Sequence, residues 1–306
     1  MSFTAEVKDE LARVSVECTD CIKAELAALI RIEGTLTISS GKPRLEIVTE
    51  TVAVARTVIS LLHSPVYNLK TDLMIRRSVL HKTHNFLITV PAQPGLSAAL
   101  HDLGILGEGG FTAGIKPELV EKDCCAGSYL RGAFLGGGYI ADPRGDFHFE
   151  LSTSSQALAE GLVELMVRFG IKSRYTRRHN TYNVYIKGAE SILTFLALTR
   201  AQNAVLKMED QRALKSLRND TNRRVNAEIA NAVKASQAAQ EQIQRIRLLV
   251  EKRGIEAVPE SLREVALLRL RHPEASIKEL GEYADPPLSK SAVYHRIRRI
   301  NEMLED

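Results

Sequence analysis

Two nine-residue stretches, LAALIRIEG at residues 26–34 and LRGAFLGGG at residues 130–138, organise this chain of 306 amino acids. Each has the apolar spacing of a helix and ends in a glycine that begins an alternating, strand-like segment. Small residues such as Ala28 and Gly132 allow two such helices to approach closely. The second stretch repeats the first at an offset of 104 residues, from residue 26 to residue 130. This offset predicts an internal duplication, whose halves typically pair about a pseudo-twofold axis.

The segments around both stretches share one order of predicted elements: helix, hairpin, helix, hairpin, helix. Turn sequences punctuate this order at residues 41–43 (Gly-Lys-Pro) and 142–145 (Asp-Pro-Arg-Gly). In the first repeat, about residues 20–104, the pattern predicts helices at 23–33, 51–63 and 96–103 and strands at 35–38, 45–48, 67–76 and 85–90. In the second repeat, about residues 123–199, it predicts helices at 128–135, 155–169 and 189–198 and strands at 138–141, 147–151, 173–178 and 182–187.

The remaining third of the chain is predicted to be helical throughout. Residues 200–253 contain neither proline nor glycine, which predicts one long helix that ends at Gly254. A compact three-helix module follows, with a capping box at residues 276–279, a two-proline turn at 285–288 and Ser289 as the cap of its third helix. We therefore predict an α+β fold with a duplicated domain at residues 1–199, a helical linker at 200–254 and an all-α helix-turn-helix domain at 255–306.

The third helix of this module has the features of a DNA recognition helix. Val293, Ile297 and Ile300 recur at the spacing of a buried helix face, and residues 289–300 contain no acidic side chain. Polar side chains near the start of such a helix reach base edges, and its positive end favours phosphate. The candidate DNA-contacting residues are Ser289, Lys290, Ser291, Tyr294, His295, Arg298 and Arg299. The alternative is an ordinary three-helix bundle with a polar surface.

The net charge of the chain is only +4, but its positive charge is concentrated in two stretches, of which residues 289–300 are one. Binding to a polyanion needs such concentration, because each neutralised phosphate releases a counterion. A second basic stretch accompanies the last predicted hairpin of the duplicated domain. Its members are further candidate DNA contacts: Lys172, Arg174, Arg177 and Arg178. Exposed charges that protect an edge strand would have the same pattern, so both interpretations stay open.

Composition excludes several other classes of protein. No apolar run approaches the roughly 18 residues of a membrane span. The first residues, MSFTAEVKDELARV, lack the apolar core of a signal peptide. Four cysteines in 306 residues are too few for a disulfide framework, which favours a reducing cytoplasm. No phosphate-binding loop, dinucleotide fingerprint or catalytic triad order is convincing.

The four cysteines nevertheless form a pattern. Cys18 and Cys21 precede the first motif, Cys124 and Cys125 precede the second, and the 104-residue offset maps Cys21 onto Cys125. A zinc or redox site shared between the repeats is one interpretation. Reduced, buried cysteines are the other, and the unequal spacings favour them. We therefore predict no metal ion and no cofactor.

Both motifs resemble the LAGLIDADG signature of homing endonucleases. In that family the two motif helices pack along the pseudo-dyad, and an acidic residue next to last in each motif holds the catalytic cations. Here that position is Glu33 in the first motif but Gly137 in the second, while Arg31 and Leu135 replace the other Asp of the signature. A lone carboxylate leaves a cation short of ligands, and Arg31 would repel it. We predict no catalytic residue; a residual metal-dependent endonuclease that uses Glu33 is the alternative.

The chain as a whole resembles the WhiA family of bacterial regulators. Besides the two degenerate motifs, the resemblance rests on Asn222-Arg223-x-x-Asn226-x-x-x-Ala230-Asn231 and on Ala284-Asp285-Pro286-Pro287-Leu288-Ser289-Lys290 leading into Arg296-Ile297-Arg298-Arg299. It implies a sequence-specific, DNA-binding transcriptional regulator without nuclease activity, acting in cell division, chromosome segregation or sporulation. The implied partners are double-stranded DNA and another transcription regulator, at the nucleoid in the cytoplasm. A protein-interaction scaffold whose tail binds a protein is a further alternative.

Overall fold

The computed structural model describes residues 2–16, 18–77 and 84–304. They belong to two compact units, residues 1–214 and residues 215–306. The boundary lies inside the long helix for which the sequence predicts a linker, so each unit takes part of that helix into its core. Among the described residues, no helix combines the length and the apolar character that a bilayer crossing requires.

The first repeat is a four-stranded antiparallel sheet packed against helices. Its elements are α2 (Thr19–Glu33), β1 (Gly34–Ser39), β2 (Lys42–Thr49), α3 (Val52–Leu62), β3 (Asp72–Arg77), β4 (His84–Val90) and α4 (Leu96–Asp102), and α1 (Phe3–Leu11) precedes them. The strand order is β1-β2-β4-β3. Alternation along β2 buries Leu45 and Ile47 and leaves Arg44 on the other face exposed.

The second repeat has the same topology. A short hairpin of β5 (Leu106–Gly107) and β6 (Gly110–Phe111) and a 3-10 turn at Pro117–Leu119 lead into it. Its elements are α5 (Asp123–Gly137), β7 (Gly138–Ile140), β8 (His148–Thr153), α6 (Gln156–Arg168), β9 (Ser173–Arg178), β10 (Thr181–Lys187) and α7 (Ala189–Thr199). The strand order β7-β8-β10-β9 matches that of the first sheet. The predicted duplication is therefore confirmed.

The motif helices α2 and α5 pack against each other through the core of this unit. Gly132 permits the close approach, because a Cβ atom there would lie 2.3 Å from the backbone oxygen of Glu25. Beside it, Arg131 donates to both carboxylate oxygens of Glu25 at 2.6 and 3.1 Å, and both side chains are buried. Contact between backbones and a buried ion pair thus join the two repeats.

The second unit is a helical bundle. Helix α8 (Gln202–Arg253) is followed by α9 (Glu260–Arg271), α10 (Ile277–Glu282) and α11 (Lys290–Glu302), which form the predicted helix-turn-helix. Ile246 and Leu249 of α8 are buried with Leu262 of α9 and Ile300 of α11. Arg269 is also buried and donates to Gln242 of α8 at 3.0 Å. The last turns of α8 are therefore part of this unit's core.

The structure adds to the predicted elements, moves several of their ends by one or two residues and shortens one strand by five residues at its start. Helix α1 was not predicted, although Phe3, Val7 and Leu11 are buried at helical spacing. The strand predicted at residues 67–76 begins only at Asp72, because residues 64–68 form a turn in which Asn68 has a φ of 46°. The prediction for this strand was wrong over its first five residues, since the apolar residues there pack inward from a turn.

Candidate nucleic-acid interface

Helix α11 is positioned by its own sequence and by the turn before it. The Ser289 hydroxyl accepts a hydrogen bond from the backbone N–H of Ala292 at 3.2 Å, which caps the helix start. Val293, Ile297 and Ile300 are buried against the other helices of the unit, as their spacing predicts. The opposite face of α11 is consequently turned to solvent.

All seven candidate residues of the recognition helix lie on the solvent side. The structure leaves exposed Ser289, Lys290, Ser291, Tyr294, His295, Arg298 and Arg299. Ser291, His295 and Arg298 follow one another at the i, i+4, i+7 spacing and form one row along the helix. The ring of Tyr294 lies 5.8 Å from that of His295, edge to face. The row combines hydroxyl, imidazole and guanidinium groups, which are suited to base edges and phosphates.

The exposed guanidinium of Arg298 has an intramolecular partner. Its Nε lies 2.9 Å from a carboxylate oxygen of Glu302, one turn further along α11. Both side chains are largely exposed, so this ion pair contributes little to stability and can be exchanged for a phosphate contact. Arg298 is therefore available to an anionic partner.

Glu264 of α9 is a positioning residue that the sequence did not reveal. Its carboxylate accepts from the backbone N–H of Asp285 at 3.0 Å and from Arg296 of α11 at 3.4 Å. A second constraint comes from Gly281, where a Cβ atom would lie 2.2 Å from the backbone oxygen of Leu288. These contacts hold the turn at residues 285–288 and fix the direction in which α11 leaves it.

The second basic stretch is divided between two faces of its sheet. The β9–β10 register pairs Arg174 with Tyr185 and Arg178 with Thr181, so these two arginines share a face. Arg177 lies on the other face, with its guanidinium 5.9 Å from the ring centroid of Tyr182. Lys172 is exposed just before β9. Only part of the predicted set can therefore meet one ligand on one sheet face.

The place where homing endonucleases carry two carboxylates, at the ends of the two motif helices, has one carboxyl group and one amine in this structure. Glu33 is half-buried at the end of α2, and its Oε2 has no hydrogen-bond partner among the described residues. Burial raises the pKa of this carboxyl to about 8, although the charge of Lys8 lowers it. Burial in turn lowers the pKa of the Lys8 amine, which donates to the backbone oxygen of Gly136 at 3.1 Å. The amine of Lys8 therefore lies near the Glu33 carboxyl, the one carboxyl group that the two motifs retain at this place.

Two further features separate this position from a two-carboxylate site. Gly137 closes α5, and a Cβ atom there would lie 2.5 Å from the backbone oxygen of Ser152 and 2.9 Å from Cγ2 of Ile32. Arg31, which is expected to repel a cation, donates to backbone oxygens of Gly104 and Thr112. Its role is to hold the loop around β5 and β6. Lys8 was missed by the sequence reasoning because α1 was missed.

Replacing Glu33 with glutamine should stabilise the protein at alkaline pH. Between pH 4.5 and about 8, the folded chain retains a proton that the unfolded chain releases, so the free energy of unfolding falls as pH rises through this window. Glutamine is neutral throughout. We expect Glu33→Gln to be more stable than the wild type by about 2 kcal/mol at pH 9 and nearly equal to it at pH 4, measured by urea unfolding.

The exposed Glu121 provides a control, and Glu121→Gln should change the free energy of unfolding by less than about 0.5 kcal/mol at either pH. Equal stabilities of Glu33→Gln and the wild type at pH 9 would contradict burial of a charged carboxylate.

Comparison with known proteins connects these features to one family. Residues 19–106 match the WhiA N-terminal LAGLIDADG-like domain, residues 126–218 the WhiA LAGLIDADG-like domain and residues 221–304 the WhiA C-terminal HTH domain. A probable cell division protein WhiA from Desulforamulus reducens is 45% identical over 309 residues, covering 100% of this chain and 96% of the relative.

Solved structures agree with these matches. Full-length DUF199/WhiA from Thermotoga maritima superimposes with a TM-score of 0.63 at 26% identity, covering 100% of this chain and 98% of that one. The N-terminal LAGLIDADG domain of DUF199/WhiA has a TM-score of 0.53 at 22% identity over 65% of this chain and 90% of its own. The second likeness concerns the fold alone.

Proposed function

Because this chain belongs to the WhiA family, whose relatives are named as probable cell division proteins, we propose that it is a sequence-specific, DNA-binding transcriptional regulator. Its cellular role would be in cell division, chromosome segregation or sporulation, at the nucleoid in the cytoplasm. The observation that carries the proposal is the exposed surface of residues 290–300, where polar and basic side chains without an acid follow the Ser289 N-cap of α11.

In this proposal α11 enters the major groove of double-stranded DNA. Ser289, Lys290 and Ser291 lie at the helix start, where N–H groups and the helix dipole favour a phosphate. Tyr294 and His295 lie one turn further on, within reach of base edges. Arg298 and Arg299 complete the surface with two guanidinium groups that suit the DNA backbone or guanine.

The duplicated domain would contribute contacts rather than catalysis. Arg174 and Arg178 share a sheet face that is suited to a phosphate backbone or to another transcription regulator. DNA cleavage is not expected. The positive charge of Lys8 acts on Glu33, where a catalytic cation would bind, and the second motif has Gly137 in place of a carboxylate. Incubation with plasmid and Mg²⁺ should leave the DNA intact. Nicking that Glu33→Gln abolishes would establish the endonuclease alternative instead.

Replacing Arg298 with alanine should weaken binding to an operator fragment and flatten its salt dependence. Loss of one phosphate contact reduces the slope of log K against log salt by about 0.9, because one fewer counterion is released. The measurement is fluorescence anisotropy of the full-length protein at several salt concentrations. The operator is first identified by genome-wide mapping of bound sites.

Arg247, exposed on α8, offers a charge-matched control, and Arg247→Ala should keep the wild-type slope. A wild-type slope in Arg298→Ala would show that this side chain faces away from phosphate. Absence of binding to any genomic fragment at low salt would favour the protein-interaction scaffold.

A further inference from the structure

All four cysteines of the chain meet at one point of the duplicated domain. Cys18 and Cys21 lie at the start of α2, and Cys124 and Cys125 lie at the start of α5. Their four Sγ atoms are within 4.8 Å of one another. Cys21 and Cys125 are buried, whereas Cys18 and Cys124 are half-buried. The two cysteine pairs are spaced differently along the sequence, as CxxC and as CC, yet their sulfur atoms lie close together in the structure.

The distances between the sulfur atoms fit a single metal ion. Cys125 Sγ lies 3.8 Å from Cys21 Sγ and 3.9 Å from the Sγ atoms of both Cys18 and Cys124. A tetrahedral zinc site with Zn–S bonds of about 2.3 Å separates its sulfur atoms by about 3.8 Å. Cys18 and Cys21 are closer, at 3.2 Å, yet well beyond a disulfide bond of about 2.05 Å. The four thiols are thus spaced as ligands rather than as bonded pairs.

Two helix ends and one amine lie where they can offset the negative charge of metal-bound sulfur. Two helices, α2 and α5, direct their N-termini at it, and helix N-termini stabilise thiolates. The backbone N–H of Cys21 donates to Cys18 Sγ at 3.4 Å. A metal ion with four thiolates retains two negative charges, and the amine of Lys122, which also pairs with Asp20 at 2.8 Å, interacts electrostatically with Cys18 and Cys125. A cation and two helix ends are therefore available to balance that charge.

We infer that Cys18, Cys21, Cys124 and Cys125 form a structural zinc site that joins the two repeats. Soft thiolates in a tetrahedral S₄ arrangement select zinc among the common divalent ions. Four protein ligands leave no open position for water or substrate, which is the character of a structural site rather than a catalytic one. Two ligands come from each repeat, so one ion would fasten the N-terminal ends of both motif helices. The sequence alone predicts no metal ion, and this inference departs from that prediction.

Metal analysis of the full-length protein is the direct test. Protein purified without chelator should contain about one zinc ion per chain by inductively coupled plasma mass spectrometry. Cobalt added to metal-free, reduced protein should give the intense visible and thiolate charge-transfer absorption of a tetrahedral thiolate complex, and zinc should displace it. The inference would be overturned if the reduced protein contained no zinc as purified and bound no added cobalt. An intact mass lower by two hydrogens would also overturn it, because it would show that two of the four cysteines form a disulfide.

Cys18→Ser is the informative variant because it should still fold. Cys18 is the N-cap of α2, and serine is among the preferred N-cap residues, so the substitution keeps the cap and removes one sulfur ligand. We expect its zinc affinity, measured by competition with a chelating dye, to fall by at least about 100-fold, more than the loss of an outer-shell contact produces. Helical content by circular dichroism confirms that the variant is folded.

Cys124→Ser, at the other half-buried position, should show the same loss and provides a second variant. Thr19→Ser is the matched control, because it alters the neighbouring residue of α2 and removes no sulfur. Wild-type zinc affinity in Cys18→Ser and Cys124→Ser would disprove a four-sulfur site.

Discussion

Replacing Arg131 with methionine is expected to lower the free energy of unfolding by about 4 kcal/mol at pH 8. Arg131 forms a bidentate ion pair with Glu25 inside the packed motif helices, and only 3% of either side chain is exposed. Methionine fills much of the space but leaves the Glu25 carboxylate buried without its partner, which typically costs 3–5 kcal/mol, that is, about 4. Urea or thermal unfolding of the variant measures this loss.

The loss should depend on pH. Burial raises the pKa of the Glu25 carboxyl, while Arg131 lowers it, so the pKa rises further when Arg131 is absent. The deficit of the variant relative to the wild type then grows as pH rises from the Glu25 pKa of the folded wild type, which already lies above the ordinary value, to the still higher pKa of the folded variant. At pH 4 the deficit should be clearly smaller than at pH 8.

Two further variants isolate the buried charge as the cause. Glu25→Gln combined with Arg131→Met removes both charges and should recover at least about half of the lost stability. Arg144→Met removes the partner of Asp142 from an ion pair that has the same 2.6 Å distance but is exposed, and it should lower the free energy of unfolding far less than Arg131→Met does. Similar losses in Arg131→Met and Arg144→Met would show that burial is not what makes the first pair sensitive.

Replacing Gly132 with alanine is expected to cost about 3 kcal/mol, although alanine is the better helix former. A Cβ atom at residue 132 would lie 2.3 Å from the backbone oxygen of Glu25 and 3.1 Å from the Cβ of Ala28. A backbone oxygen cannot rotate away as a side chain can, so α2 and α5 would have to separate and lose packing along the core. Thermal or urea unfolding gives the magnitude.

Whether Gly132→Ala lowers or raises the free energy of unfolding tests the close approach of α2 and α5. If the helices had room, alanine would raise stability by about 1 kcal/mol through helix propensity alone. Gly109 is the control, because a Cβ atom there meets nothing within 4 Å. Gly109→Ala should change the free energy of unfolding by less than about 0.5 kcal/mol.

Periodicity was sufficient to predict most of the fold. The 104-residue offset predicted two equivalent sheets, and their strand orders are indeed the same. Capping also predicted helix starts well: the box formed by Ser276 and Glu279 is present, and Ser289 caps α11. Apolar periodicity and capping residues are local signals. They predicted the structure correctly because the tertiary packing favours the same helices and strands.

Contacts between distant residues could not be predicted in this way. Glu25 and Arg131 are 106 residues apart, and only the packing of α2 on α5 makes them partners. The same packing brings the cysteine pairs together despite their different spacings. Lys8 was missed for another reason: the helical spacing of Phe3, Val7 and Leu11 was visible in the sequence but was not used.

Gly137 has a consequence for how this protein can change over time. Aspartate at residue 137 would place its Cβ 2.5 Å from the backbone oxygen of Ser152, so the new side chain would have to displace strand β8 before it could coordinate anything. The main chain therefore opposes the gain of a second carboxylate by a single substitution, which would require concerted changes in a helix and a strand. The protein can acquire many substitutions on its surface, but an acidic residue at position 137 is not among those that the backbone accommodates without moving.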